Sequence, residues 1–252
     1  MEAKSASTNG RGVDEWQAGF DEGPAFASDN PLCQYPAMTI GIETRPARPY
    51  RGVAKDERCA ERRRRLIEAG IQVFGAETYH GGTVRAVCAA AGLTERYFYE
   101  SFLNREQLLR AVYDELIDGL HQAFEAVLVA QATDPAAPLR AVLGRYFDFV
   151  ETNRPGARII LFEVMGVSDE FDARYRRAMR GFGALLLRAV AGLRRPGPPS
   201  VPDEELVADG LVGAVVHMAQ RWVLGGYRQS RADIQACAEV IVLAVVQELR
   251  GG

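Results

Sequence analysis

The sequence predicts an all-α fold, and three observations support this prediction. Beyond about residue 55, apolar residues recur at intervals of three and four, which is the period of a helix that is buried on one face. No segment keeps the strict alternation of apolar and polar residues that is typical of a half-buried strand. Capping residues, glycines and prolines separate the periodic segments. With 48% hydrophobic residues, the chain can bury a sizeable core.

Residues 1–54 are predicted to be disordered, because they are rich in glycine, serine and acidic residues and show no sustained period. Five prolines interrupt any helix: Pro24, Pro31, Pro36, Pro46 and Pro49. Arg45, Arg48 and Arg51 would suit a basic arm that reaches a nucleic-acid backbone, but an unstructured tail is the simpler interpretation. Met38 is an alternative start of translation, and natural peptides from upstream of it would contradict that hypothesis.

A first helix is predicted from about Asp56 to Gly75. Its apolar residues follow a helical period: Leu66, Ala69, Gly70, Val73 and Phe74. Arg62 to Arg65 surround its N-terminal half. Two interpretations of these arginines remain open, a charged face in solvent or contacts to nucleic-acid phosphates. A loop from Ala76 to Gly82 is expected to follow.

A short helix that ends at a tight turn is predicted from Thr83. Its apolar stripe has the spacing i, i+3 and i+7: Val84, Val87 and Ala91. Gly92 ends this helix, because glycine accepts the left-handed backbone of a helix C-terminus without steric cost. Leu93 is expected to fill the gap between this helix and the next.

A second short helix follows the turn, and Thr94 is its expected N-cap, since a hydroxyl can accept a free backbone N–H. Phe98 and Phe102 lie four residues apart and face inward together. The outer side then carries Glu95, Arg96, Tyr97 and Tyr99. A short helix with a buried inner face and a polar, aromatic outer face suits insertion into the major groove of DNA.

This stretch resembles the DNA-binding domain of the tetracycline-repressor (TetR) family of bacterial regulators. The resemblance is carried by Phe74-Gly75, Thr83-Val84, Ala90 to Thr94, Phe98-Tyr99, Phe102 and Arg105 to Leu108. Two positions depart from the family's pattern. Thr78 stands where a glycine is usual before Tyr79, and Arg96 and Tyr97 are larger than the small residues common there. The second departure implies an unusual operator preference, or a recognition helix that sits higher in the groove.

The resemblance implies a regulator in three parts: an extension (1–54), a DNA-binding domain (55–110) and a helical ligand-binding and dimerisation domain (111–252). It implies a repressor that a small apolar or aromatic ligand releases from a palindromic operator in double-stranded DNA. The residues expected to contact DNA are Thr83, Thr94, Glu95, Arg96, Tyr97, Tyr99 and Arg105. Among these, Arg96 is expected to donate to guanine, while Thr83 and Arg105 hold phosphates.

The rest of the sequence is predicted to form helices joined by loops. Asn104 caps a long helix from Arg105 to about Ala130, and a helix with Leu139, Leu143 and Val150 follows. The further expected segments are a short helix from Arg158 to Gly166, a long helix capped by Ser168, a loop from Arg195 to Pro202, a helix capped by Asp203 that stops at Gly225-Gly226, and a last helix opened by Ser230 and Asp233.

Aromatic and polar residues on the inner helices suggest a cavity for an apolar or aromatic small molecule. The candidate lining residues are Tyr146, Phe149, Phe162, Met165, Tyr175, Met179, Phe182, His217, Arg221 and Trp222. A filled core is the competing interpretation, and for any single aromatic it is the better one. The last two helices are apolar over more than one face, so a homodimer through these helices is expected.

Other classes of function find little support in the sequence. The four cysteines lack the spacing of a metal or redox motif, and neither a metal ion nor another cofactor is expected. An α-helical enzyme is the less favoured alternative, because no catalytic motif or phosphate-binding loop occurs and the three histidines lie far apart. A second alternative is a DNA-binding regulator that responds to a protein partner or to no ligand. A leader and a membrane span are also missing, so a cytoplasmic protein is expected.

Overall fold

The computed structural model of the protein describes residues 50–129, 133–193 and 203–248. Helices and no strands occur in these three ranges, which confirms the predicted all-α fold. Residues 1–49 of the extension predicted to be disordered (1–54) lie outside the described residues, and the prediction was wrong for residues 50–54, which are helical.

The described helices follow one another in the order that the sequence predicts. They are α1 (Tyr50–Gly81), α2 (Val84–Ala91), α3 (Glu95–Ser101), α4 (Arg105–Leu128), α5 (Ala137–Thr152), α6 (Arg154–Arg158), a π-helix (Ile159–Glu163), α7 (Asp169–Ala189), a single 3₁₀ turn (Ala191–Leu193), α8 (Glu204–Leu224) and α9 (Arg231–Glu248).

Helix α1 is longer at both ends than the sequence pattern indicates. It begins at Tyr50 rather than near Asp56, and it continues through the predicted loop to Gly81. Only Thr78 leaves the helical conformation, at φ 72° and ψ 162°. The predicted loop was wrong because one residue with a strained backbone takes its place, in the position where the family usually has glycine.

Predicted caps position the ends of several helices. The side chains of Asn104, Ser168 and Asp203 accept hydrogen bonds from the backbone N–H three residues later, and each begins a helix as expected. Ser230 does the same for α9, through the N–H of Asp233. Helix α8 ends at Leu224, directly before the predicted Gly225 stop.

One continuous hydrophobic core runs through the described helices. Leu66 and Phe74 of α1 are fully buried together with Phe98 of α3. Helix α4 continues this core, since it packs against α1 at one end and against α5 and α7 further along. Helices α1 to α3 and the larger helical region therefore share α4 as a common support.

The segment after α5 differs from the prediction of one helix from Arg158 to Gly166. A short α-helix, α6, is followed at once by the π-helix Ile159–Glu163, whose wider turn rotates the side chains that come after it. The helix ends at Glu163, and Met165 lies beyond it with 58% of its surface exposed. The prediction that Met165 faces a cavity was therefore wrong.

Candidate DNA interface and ligand cavity

The turn between α2 and α3 has the geometry expected of a helix-turn-helix. The Thr83 hydroxyl accepts a hydrogen bond from Ala86 N at 3.1 Å and caps α2. Gly92 lies in the left-handed region at φ 62°. The N–H of Leu93 donates to the Cys88 carbonyl at 2.9 Å, which closes the end of α2. These observations confirm the predicted cap and the predicted glycine turn.

The inner face of α3 is anchored by its two phenylalanines. Phe98 is fully buried, Phe102 is nearly so, and their ring centroids lie 5.8 Å apart. Val87 and Ala91 of α2 are buried against the same core, while Val84 packs on it from a partly buried position. The predicted inward pair therefore holds α3 in one orientation.

The outer face of α3 presents polar and aromatic groups to solvent. Thr94, Glu95, Arg96 and Tyr99 are exposed. The guanidinium of Arg96 pairs with Glu100 at 3.1 Å while its side chain stays 84% exposed. Thr94 occupies the N-cap position, but its side chain makes no capping hydrogen bond, so the predicted hydroxyl cap was wrong.

Tyr97 differs from the other outer residues because it is half-buried. The guanidinium of Arg62 lies over its ring, 4.6 Å from the centroid. This contact fixes Tyr97 at the rim of α3 that faces α1, away from the fully exposed side.

The arginine run of α1 serves a purpose that neither sequence interpretation anticipated. Arg63 donates to the Ser101 carbonyl at 3.2 Å and covers the ring of Phe102, and Arg65 donates to the carbonyl of Ala91. Arg64 is occupied by two glutamates of its own helix. Arg62, Arg63 and Arg65 therefore dock α1 onto α2 and α3.

Arg105 is engaged by the backbone at the C-terminal end of α1 and by Gly82, which follows it. Its Nη1 donates to the carbonyls of Tyr79 at 3.2 Å and Gly82 at 2.7 Å, with a longer contact to His80. Its guanidinium also lies over the Tyr79 ring, 4.9 Å from the centroid. Arg105 thus orients the segment that leads into the Thr83 cap, and its predicted contact with phosphate stays a prediction.

A hydrogen bond joins this same segment to the π-helix. Tyr79 N donates to the carboxylate of Glu163 at 2.9 Å, and Glu163 also pairs with Arg158 at 3.5 Å. From the other side, the Gln220 amide of α8 donates to the Leu161 carbonyl at 2.9 Å. The π-helix is therefore tied to both α1 and α8.

A close approach of two backbones reinforces the same contact. A Cβ atom added at Gly75 would lie 2.5 Å from Cα of Pro155 in α6. Gly75 does not end α1; it allows α6, and the π-helix that follows, to lie directly against α1.

An apolar cavity of about 70 Å³ lies among α4, α5, the π-helix, α7 and α8. Four of the predicted lining residues do line it: Tyr146, Tyr175, Met179 and Phe182. Ile160 and Leu161 of the π-helix form part of its wall, as do Val212, Val215 and Val216 of α8. The cavity thus touches the element that contacts α1.

Six predicted lining residues lie elsewhere. Phe149 and Phe162 are partly buried outside the cavity, and Met165 is exposed. Trp222 is buried in a separate aromatic cluster, where its indole N–H donates to the Gln229 carbonyl at 2.9 Å. His217 and Arg221 are exposed. The valines of α8 face the cavity, and this orientation turns His217 and Arg221 outward.

Helix α4 contributes cavity residues that the sequence did not single out for this role: Tyr113, Ile117, Leu120 and Phe124. Their spacing predicts a buried stripe, which a filled core explains equally well. The residue in that stripe that could have indicated a cavity is Tyr113, because its side chain ends in a polar hydroxyl. Its hydroxyl and that of Tyr146 are buried and have no hydrogen-bond partner among the described residues.

Exposed apolar residues lie along α8 and α9, and on α8 the exposed His217 and Arg221 interrupt them. Leu206 and Leu224 are exposed on α8, and Val240 and Ile241 are exposed on α9. We call these four residues and the small residues between them, Gly210, Gly213, Ala236, Cys237 and Ala244, the α8–α9 face. Buried residues such as Val212 and Val242 occupy the opposite sides, so both helices are apolar on two faces.

Other kinds of site are missing from the described parts of the chain. Within residues 50–129, 133–193 and 203–248, no three His, Cys, Asp or Glu side chains cluster in a way that could hold a metal ion. Across the same ranges, no helix has the length and apolar character needed to cross a membrane.

Two family models match the sequence. The model of bacterial regulatory proteins of the tetR family matches residues 66–112, and a tetracyclin repressor-like C-terminal domain matches residues 135–245. The two matches together cover more than half of the chain.

Curated relatives include regulators of opposite sign. The chain is 26% identical to the HTH-type transcriptional activator FasR of Mycolicibacterium smegmatis over 167 residues, which cover 65% of this chain and 73% of FasR. It is 29% identical to the HTH-type transcriptional repressor NicS of Pseudomonas putida over 84 residues, which cover 33% of this chain and 39% of NicS.

Solved structures share the fold at lower identity. The fatty acid degradation regulator FadR from Bacillus halodurans has a TM-score of 0.63 at 18% identity, over 72% of this chain and 94% of that one. FadR from Bacillus subtilis, in complex with stearoyl-CoA, has a TM-score of 0.61 at 18% identity, over 73% and 98% of the two chains.

Proposed function

The chain belongs to the TetR family of bacterial helix-turn-helix transcriptional regulators, and from this premise we propose that it is a homodimeric repressor that a small apolar or aromatic ligand releases from its operator. One observation carries the proposal: the apolar cavity and the backbone that leads into the Thr83 cap of α2 are joined by a continuous chain of contacts. That chain runs through the π-helix, Glu163, Tyr79 and Arg105.

The DNA-binding surface in this proposal is the exposed side of α3 with the start of α2. Arg96 would exchange its partner Glu100 for guanine O6 and N7, while Thr94, Glu95 and Tyr99 lie beside it. Thr83 and the N-terminus of α2 would receive a phosphate. Tyr97 and Arg105 would act mainly by orienting α3 and the segment before α2, because their own contacts are internal.

The α8–α9 face supplies the dimer interface. Exposed leucine, valine and isoleucine side chains in one patch are expected to be covered by a partner, and a C2 dimer covers the patch with its own copy. The small residues in the face allow two helices to approach closely. Two copies of α3 set about 34–36 Å apart would read a palindromic operator on one side of the duplex.

The size of the cavity suggests how a ligand would act. About 70 Å³ is far less than the roughly 300–1,000 Å³ of a site for a drug-sized molecule. A guest of that size would have to separate the helices around it, so it would prefer a conformation different from the one described. A ligand shifts an equilibrium only through such a preference.

The coupling route follows from the contacts of the π-helix. Movement of Ile160 and Leu161 would be passed by Glu163 to the backbone of Tyr79, and through Arg105 to the residues that precede the Thr83 cap. A coupling free energy of about 1–3 kcal/mol changes operator affinity roughly 5- to 150-fold. That range is sufficient for a switch.

The two named relatives regulate in opposite directions, since NicS is named a repressor and FasR an activator. We favour repression, because a protein bound to an operator that overlaps a promoter blocks transcription until the ligand releases it. The proposal also places the protein in the bacterial cytoplasm, where its DNA target is. The enzyme alternative is disfavoured because the family consists of transcriptional regulators.

Operator selection from random duplex DNA tests the DNA-binding role. We expect the purified full-length protein to enrich a two-fold symmetric site. Arg96→Ala should enrich a more degenerate site, because one bidentate contact supplies about 1–3 kcal/mol of discrimination between bases. Failure of the protein to enrich any sequence at low salt would contradict the proposal, and unchanged selectivity in Arg96→Ala would reject its base-reading role.

A regulator that responds to a protein partner alone is the second candidate, and the small size of the cavity favours it. Thermal melting with a panel of lipophilic compounds distinguishes the two, because a ligand raises the midpoint by mass action. If no compound in the panel changes the melting midpoint or the affinity for the operator, the partner-regulated alternative is favoured.

A further inference from the structure

Three tyrosines supply the hydroxyl groups of an otherwise apolar cavity. Tyr113 comes from α4, Tyr146 from α5 and Tyr175 from α7, and all three line the cavity. Only 1% of Tyr113 and 9% of Tyr146 is exposed. The hydroxyls of Tyr113 and Tyr146 find no hydrogen-bond partner among the described residues.

An unpaired buried hydroxyl is costly, and a chain that needs only a filled core avoids this cost with phenylalanine. Phenylalanine lines the same cavity at positions 124 and 182. Two tyrosines with unpaired hydroxyls at one cavity therefore indicate groups that are kept for a guest molecule.

The chemistry of these hydroxyls restricts the guest. Burial, with a smaller contribution from Tyr175, raises the pKa of both Tyr113 and Tyr146, so they remain protonated donors at neutral pH. Among the described residues that line the cavity, none is Lys, Arg or His. A carboxylate would therefore enter without a cation to pair with, and burying an unpaired charge is far more costly than burying a neutral oxygen.

We propose that the cavity selects a lipophilic molecule that carries an uncharged hydrogen-bond acceptor, such as a ketone or ester carbonyl, with Tyr113 and Tyr146 donating to that oxygen. This inference rests on the ligand-binding role proposed above, and it adds the chemical class of the ligand. A carbonyl oxygen has two lone pairs and can accept from two donors.

Three probes of similar size and different polarity test the proposal by titration calorimetry on the full-length protein: acetophenone, ethylbenzene and benzoate. Wild-type protein should bind acetophenone more tightly than ethylbenzene, and benzoate most weakly. Tyr113→Phe and Tyr146→Phe should each weaken acetophenone binding about three- to tenfold, the value of one neutral hydrogen bond. Neither substitution should weaken the binding of ethylbenzene.

Tyr227→Phe is the matched control. It removes a hydroxyl that donates to the Val150 carbonyl at 3.2 Å outside the cavity, so the ratio of the acetophenone and ethylbenzene affinities should not change.

The outcomes separate this inference from the proposal on which it rests. Equal binding of acetophenone and ethylbenzene, or tight binding of benzoate, would overturn the proposed selection of the ligand by Tyr113 and Tyr146. The ligand-binding role of the cavity would still stand. Binding of none of the three probes would overturn the inference together with the ligand-binding role.

Discussion

At the scale of single residues, several side chains have roles that their position in the sequence does not reveal. Thr78 is the clearest example. It occupies a region of φ and ψ that is nearly restricted to glycine, within an otherwise helical segment. The Thr78 hydroxyl accepts a hydrogen bond from Gly81 N at 3.3 Å, and its carbonyl accepts one from Gly82 N at 3.0 Å. These bonds hold a strained residue directly before Tyr79, the residue that contacts Glu163.

Thr78→Gly is predicted to stabilise the protein. Strain of about 1–3 kcal/mol is removed, and the greater flexibility of glycine in the unfolded chain takes back roughly 0.5–1 kcal/mol. A net gain of about 1 kcal/mol raises Tm by about 2–4 °C in a chain of this size. Thermal denaturation followed by circular dichroism measures the change.

Thr78→Ala is the matched control for this prediction, because alanine keeps a Cβ atom in the strained conformation and should give no such gain. A lower Tm for Thr78→Gly would mean that the strain is not a significant cost in the folded protein.

At the scale of elements, local signals predicted most helices, and contacts between helices account for what was missed. Asn104, Ser168 and Asp203 are capping residues whose effect is confined to one helix turn, and each prediction was confirmed. Gly75 was interpreted as a helix end because glycine often ends a helix, yet its role is the contact with Pro155. A residue 80 positions further along the chain decides that role, and a local pattern carries no information about it.

The same limit applies to the cavity. Tyr146, Tyr175, Met179 and Phe182 line the cavity because large residues on inner helix faces tend to meet, and their contact with a ligand stays a prediction. His217 and Arg221 lie outside the cavity. The rotation of α8 about its axis is set by its packing on α7 and α9, where its valines and alanines are buried. No local pattern in the sequence of this chain predicts the π-helix. Its wider turn orients the side chains of Ile160 and Leu161 toward the cavity.

The contact between the π-helix and α1 gives a prediction at this scale. In Glu163→Ala, the N–H of Tyr79 loses its acceptor, so hydrogen exchange in residues 79–83 should become faster. Glu163→Gln keeps an acceptor oxygen and should retain most of the protection. Exchange measured by mass spectrometry tests this, and equal protection in the Ala variant and the wild type would contradict a structural link through Glu163.

At the scale of the whole molecule, DNA affinity has to come from the placement of charge, because the net charge is −3. Most arginines near the helix-turn-helix are engaged within the protein, and Arg96 is the one on α3 that points outward. One protomer thus offers few contacts to DNA. Dimerisation through the α8–α9 face would double them, and for that reason the interface matters to function as well as to stability.

Val240→Glu is predicted to separate the protomers. Its side chain is 66% exposed in one protomer, so the fold of the subunit should persist while a charge is placed in the interface. Val129→Glu is the matched control, since Val129 is also exposed but lies at the end of α4, outside the α8–α9 face. Light scattering should give a monomer for Val240→Glu and a dimer for Val129→Glu, and a dimer in both would assign the interface elsewhere.

The central claim is that two copies of α3, held by one dimer, read a symmetric site. Hydroxyl-radical footprinting on the selected operator, with the mass of the complex determined in parallel, tests it most directly. We predict two protected segments about one helical turn of DNA apart on the same side of the duplex, with two protomers per site. A single protected segment, or one protomer per site at saturation, would contradict the account.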